Sequence, residues 1–275
     1  MDLLRVTIVS LVILISLDVY LSIDLTDNTE ILNYSVLTRH CGKMDRRMLS
    51  LFIIASTLLV ASLPVGPVSA FPDAIRERTF ITYYGQPLGT ADTDSYNVWA
   101  YSGIHWSTSN VAYYVNPKGA PVGALAEIRA AFETWDVQVT DELFNDDVGT
   151  VSRQTGNKFD GLNVVSWGRL GRGIIAVTTV WYNRYTNEIV EFGMVFSSAY
   201  KWGIDIDGEG SSYILVGMFD VRDIATHEAG HTLMLDDLYM PEASALTMYG
   251  YGSYGQTYAI SLGAGDRSGV KAICP

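Results

Sequence analysis

Two histidines four residues apart with a glutamate beside the first, His227 and His231 with Glu228 in the stretch HEAGHTLMLDD, are the part of this chain best equipped for chemistry. On a helix, residues i and i+4 project from nearly one face, so both imidazoles can reach one metal ion. Glu228 follows the first histidine by one residue and therefore stands beside the ion, where a base for a water molecule belongs. Two protein ligands hold a catalytic zinc poorly, and three are usual. Asp236 and Asp237 come next as anionic candidates. On an unbroken helix they would lie about 140° and about 240° around from His231, so the chain must leave helical geometry near Met234 before either can complete the set.

The helix that carries these residues is predicted from about Val221 through Leu233, with Asp220 as its cap and Asp223 as an acidic first-turn residue that suits the positive end of the helix dipole. A second helix, from about Val122 to Val137, has Leu125, Ile128, Phe132 and Trp135 at three- and four-residue steps, which places them on one buried stripe. Strand signals fill the rest: VAYYV (111–115), VGTVSR (148–153), LNVVSW (162–167), IIAVTTVWY (174–182) and EIVEFGMVF (188–196), the last two joined by the hairpin connection NRYTN. Residues 71–98 show weak periodicity and read as an N-terminal arm or short propeptide. The tail is rich in Gly and Tyr until a short helix near Asp266 to Ile273. This order predicts an α/β domain over 99–275, one mostly parallel sheet packed on helices.

IATHEAGHTLMLDDLY together with LTMYGYG around Met248 resembles the active-site helix and Met-turn of a matrixin-like metzincin, a family of zinc peptidases. VAYYVNP, IRAAFETWD and IVEFGMVFSSAYKW occur upstream in the order that such domains have. The likeness covers roughly Trp99 to the C-terminus and is most specific over 220–250. It implies a twisted, mostly parallel five-stranded sheet with one antiparallel edge strand, an active-site helix and a C-terminal helix. It further implies one catalytic zinc on His227, His231 and Asp237, Glu228 as catalytic base, and Met248 as an apolar floor under the metal. Asp237 stands ten residues after His227, the spacing of the family's third ligand. Position 250 is Gly, so the tyrosine that astacin-like members place two residues after the Met is absent. Matrixins also hold a structural zinc with several histidines, whereas His105 is the one histidine between Ala70 and His227. The family's glycine seven residues after the first ligand is Met234 here. A bulky residue in a left-handed conformation costs about 1–2 kcal/mol, so either this turn has another shape or Met234 is strained. An extended substrate would pair with an exposed sheet edge, for which IIAVTTVWY is the candidate, an internal strand being the competing reading.

Asp205, Asp207 and Glu209 alternate ahead of Gly210 in DIDGEG, as in the opening of a calcium loop. Position 12 of an EF-hand loop would be Val216, which excludes an EF-hand, and a solvated acidic turn explains the same residues without an ion.

Two apolar runs precede all this. The second, LSLFIIASTLLVASL (49–63), follows MDRR and ends in PVGPVSA, the parts of an export signal over 44–70 with cleavage after Ala70. It is short for a membrane span, which needs about 20 apolar residues, and an uncleaved signal anchor that holds the protein at the membrane is the competing reading. Residues 1–43 then read as a misassigned extension ahead of a true start at Met44. RHCGK around Cys41 loosely resembles the inhibitory cysteine segment of matrixin propeptides, but it lies ahead of the export signal and a histidine splits the pattern. The net charge of -12 repels phosphate backbones and anionic membranes, so nucleic acid is not an expected partner. The expected protein is a secreted, monomeric zinc endopeptidase acting on protein or peptide substrates, with no lasting membrane association once the signal is cleaved. The reading from another class is a catalytically inactive binding protein of the same fold at the cell surface.

Overall fold

A computed structural model of the protein describes residues 19–24, 33–38, 74–85, 96–206 and 215–274. The chain divides into two units, Met1–Val68 and Ser69–Pro275. In the first, β1 (Val19–Asp24) and β2 (Asn33–Thr38) pair antiparallel. The expected export signal over 44–70 lies outside the described residues.

The second unit is α/β with a mixed seven-stranded sheet. Its strands in chain order are β3 (Ile75–Tyr84), β4 (Tyr114–Val115), β5 (Gly149–Thr150), β6 (Val164–Gly168), β7 (Ile174–Asn183), β8 (Ile189–Ser197) and β11 (Tyr251–Gly252). Across the sheet they run β11-β3-β7-β8-β6-β4-β5. Four of the six neighbouring pairs are parallel, and the two long ladders, β3 with β7 and β7 with β8, are antiparallel. The short strands β9 (Trp202–Gly203) and β10 (Phe219–Asp220) form a separate parallel pair.

Two expectations are corrected here. The sheet has seven strands where five were expected, and β7 is internal, not an exposed edge. Residues 75–84, within the stretch read as an N-terminal arm or short propeptide, form a ten-residue strand along β7, which makes β7 internal, and β11, paired to that strand, is the seventh. The composition of β3 hid it. Arg76, Arg78, Phe80, Thr82 and Tyr84 alternate with Glu77, Thr79, Ile81 and Tyr83, so neither face is uniformly apolar and period-two patterning gives no signal.

The helices are α1 (Ala124–Asp136), α2 (Val221–Thr232) and α3 (Ala264–Ile273). Ile128, Phe132 and Trp135 are buried as the stripe predicts, but Leu125 is 37% exposed at the edge of the helix's first turn, and Ala124 and Ala131 complete the buried face. Phe132 stacks on Tyr113 and Phe192 and meets Phe144 edge-on, which fixes α1 to the sheet through rings. Trp135 reaches α2, where its Nε1 donates to the Thr226 carbonyl at 2.9 Å. Helix α2 starts as expected: the Asp220 side chain accepts from the Asp223 backbone N–H at 2.7 Å.

Candidate metal centre

Helix α2 lies with one face against β7 and the other against the loop that follows it. His227 is 2% exposed, and His231 and Glu228 are 0% exposed. Each histidine is oriented by a backbone carbonyl: His227 Nδ1 lies 2.7 Å from the Thr247 oxygen and His231 Nδ1 lies 2.7 Å from the Leu235 oxygen. A carbonyl can only accept, so each Nδ1 carries its proton and each Nε2 presents a lone pair.

The Leu235 carbonyl reaches His231 because of how α2 ends. Leu235 N–H bonds to the Gly230 carbonyl and Met234 N–H to the His231 carbonyl, the paired bonds of a Schellman turn, and Met234 takes φ +65° in the position usually given to glycine. Of the two alternatives for Met234, the structure has the strained one. Its side chain is 0% exposed, so it fills core space that a glycine would leave empty.

The turn also delivers Asp237. Its Oδ1 lies 3.3 Å from His227 Nε2 and 3.4 Å from His231 Nε2, and the two Nε2 atoms are 3.0 Å apart. Asp237 Oδ1 is buried and takes no hydrogen bond among the described residues, while Oδ2 accepts from the Tyr239 hydroxyl at 3.2 Å. A tetrahedral ion at about 2.0–2.1 Å from N and O ligands sets those ligands about 3.3–3.4 Å apart, close to this triangle. Two Nε2 lone pairs facing each other at hydrogen-bond distance require a proton or a cation between them. The electrostatics agree. Burial opposes charging His227, but the neighbouring Asp237 carboxylate outweighs it and raises the imidazolium to about 9. Burial likewise opposes ionising Asp237, yet His231 and His227 hold its carboxyl well below the usual range. His227, His231 and Asp237 thus form a group that could hold a metal ion.

Asp236, one residue earlier, points elsewhere: it pairs with Arg78 of β3 at 2.5 Å. Glu228 faces the sheet. Its Oε1 accepts from the Thr82 hydroxyl of β3 at 2.7 Å and its Oε2 from the Thr178 hydroxyl of β7 at 2.6 Å. The Phe80 ring of β3 lies flat on His231, centroids 4.2 Å apart.

Met248 packs under α2 at Gly230, between the two histidines. A Cβ on Gly230 would meet the Met248 sulfur and stand 2.7 Å from Trp135 Cζ2, so this helix position must be bare. Asp266, in the first turn of α3, holds the loop above it by accepting from the backbone N–H groups of Thr247, Met248 and Gly263 at 2.8, 3.2 and 2.9 Å. Because Thr247 also supplies the carbonyl for His227, Asp266 supports a candidate metal ligand at one remove.

Thr82, Thr178, Arg78, Phe80 and Asp266 were not foreseen. The first four reach α2 through strand register across distant chain segments, and Asp266 had only its place in the predicted tail helix to mark it. Of the candidate calcium residues, Asp207 and Glu209 lie outside the described residues. Asp205 donates its backbone N–H to Asp220 at 2.8 Å, which ties it to the cap of α2. Compared with family models and with curated proteins, the chain matches none.

Proposed function

We propose that the protein is a secreted zinc-dependent endopeptidase of the matrixin-like metzincin type, exported through a signal over 44–70. The observation that carries this reading is the convergence of His227 Nε2, His231 Nε2 and the otherwise unsatisfied Asp237 Oδ1 within 3.4 Å of one another, one residue from a buried glutamate.

When bound there, zinc supplies Lewis acidity toward a carbonyl oxygen and lowers the pKa of a water from 15.7 toward about 7. Glu228, beside the three candidate ligands, would be the base that accepts a proton as a water oxygen attacks the peptide carbonyl carbon. The C–N bond then breaks, and Glu228 returns the proton to the departing amine nitrogen. His227 and His231 keep their geometry throughout because their Nδ1 protons stay on backbone carbonyls. Met248 keeps the underside of α2 dry.

The binding-protein reading is favoured by one feature: each Glu228 oxygen already accepts a hydrogen bond from a threonine hydroxyl and the residue is fully buried, which makes it less available as a base. Metal analysis of the secreted protein together with a casein assay separates the readings. About one zinc per chain and chelator-sensitive cleavage support the peptidase. Stoichiometric zinc without cleavage, including after partial proteolysis of the N-terminal segment, supports the binding protein.

A further inference from the structure

We propose that β3, residues 75–84, is an internal latch lying in the peptide-binding trench of this protein, and that an active site forms only when this strand is displaced. The inference rests on the peptidase reading for its functional consequence, though not for the trench itself.

Strand β3 lies between β7 and β11, antiparallel to the first and parallel to the second. Beyond the ladders, Tyr83 and Gly85 donate their backbone N–H groups to the Gly250 and Gly252 carbonyls, and Tyr84 donates to Gly173. Lifted out, β3 would leave the long edge of β7 unpaired, faced at one end by the backbone of residues 250–252, which is what an extended polypeptide needs for strand addition.

Strand β3 also packs unlike a core strand. Of its ten side chains only Phe80 and Thr82 are buried, and both are buried against the candidate centre. Three successive residues on its inner face engage the site or its border: Arg78 pairs with Asp236, Phe80 covers His231, and Thr82 donates to Glu228. The Arg78 guanidinium also sits 5.1 Å over the Phe80 ring, joining two of these contacts. With β3 in place Glu228 and His231 are sealed from solvent, and the Thr82 hydroxyl occupies the Glu228 oxygen that Thr178 leaves open. No substrate carbonyl and no attacking water can reach the base until the strand moves. The latch uses no cysteine and no ligand to the metal; it works by filling the groove with main chain and capping the base with a hydroxyl.

The test uses the full secreted chain carrying Arg78→Glu with Phe80→Asp, and separately Arg78→Glu alone, whose side chain is 38% exposed in the native protein and whose change is the gentler one. Reversing the ion pair and removing the ring should raise the open population, and casein turnover with it, by on the order of tenfold in the double variant, less in the single one. A fluorescent peptide with the sequence of residues 74–85 should bind the double variant after zinc has been stripped, and should inhibit it competitively when zinc is restored. In the native protein the amides of 75–84 should exchange with solvent at least about tenfold faster than those of β8, as expected for a strand that opens by itself. Peptide binding and fast exchange without cleavage in any variant would keep the latch and refute the peptidase. The latch is overturned if both variants unfold, if the folded double variant does not bind the peptide, or if β3 exchanges as slowly as β8.

Discussion

In the proposed peptidase Glu228 and Asp237 are separable by substitution, because one would serve as the base and the other would complete the metal-holding group. Glu228→Gln should keep zinc and lower peptidase activity by on the order of a hundredfold or more, the effect of removing a general base; metal content and turnover measured on the same preparation check it, and full activity would refute the assignment. Asp237→Ala should lose most of its zinc on dialysis, since two histidines remain. Asp236→Ala should keep zinc, because Asp236 contacts Arg78 and not the histidines; stoichiometric zinc in Asp237→Ala or loss of it in Asp236→Ala would reverse the ligand assignment. Met234 shows two effects in opposition. Its left-handed backbone costs about 1–2 kcal/mol relative to glycine, whereas emptying a fully buried Met site costs about 2–5 kcal/mol. Packing wins, so Met234→Gly should destabilise the protein. Met234→Ala keeps the strained backbone and also loses the side chain, so it should be less stable than Met234→Gly by about 1 kcal/mol. Denaturant midpoints of the three proteins decide this.

At the level of elements, α2 is held from three sides, by Trp135 of α1, by Thr178 of β7 and by Met248 beneath Gly230. Gly230→Ala would push its methyl into both Met248 and Trp135, which are themselves buried, and should destabilise the protein by about 1–3 kcal/mol while also lowering zinc affinity through the displaced Met248 loop. An unchanged melting temperature and zinc content would mean that the loop yields freely. The elements differ in how plainly the chain announces them. His227, Glu228 and His231 follow from the spacing of one short helix whose cap, Asp220, is equally local. Strands β7 and β8 follow from runs of β-branched and aromatic residues, and their connection from NRYTN. Asp237 needed the turn at Met234, whose shape depends on packing around a buried side chain and not on local preference. Strand β3 could not be read because its inner face meets carboxylates and an imidazole. Arginine, phenylalanine and threonine suit those partners one by one and form no apolar stripe. Leu125 shows the reverse error: its spacing fits the stripe of α1, but it falls at the margin, where the helix has just left the sheet.

For the whole molecule, pH acts on stability through buried carboxylates, of which Asp136 lies outside the candidate metal group. Burial pushes the Asp136 carboxyl up to about 7, against the backbone hydrogen bonds it accepts from Leu143 and Phe144. Between its ordinary value of 3.8 and about 7 the folded state holds this proton and the unfolded chain releases it. The contribution of Asp136 is therefore largest below that window and is lost as pH rises through it, at no more than about 1.4 kcal/mol per pH unit. Asp136→Asn should flatten the stability curve between pH 4 and 7, as denaturant titrations across that range will show; an unchanged slope would place the titration elsewhere. The role of Asp266 has a consequence in time. The chain is made from its N-terminus, so His227, Glu228, His231 and Asp237 all leave the ribosome before α3 does. Until Asp266 emerges, the carboxylate that holds the Thr247 and Met248 N–H groups is missing, and the Thr247 carbonyl that faces His227 Nδ1 is held less firmly. A nascent chain that stops short of Asp266 already possesses His227, His231 and Asp237 yet lacks this support, so assembly of the group that could hold a metal ion waits on a residue that follows all three of its members.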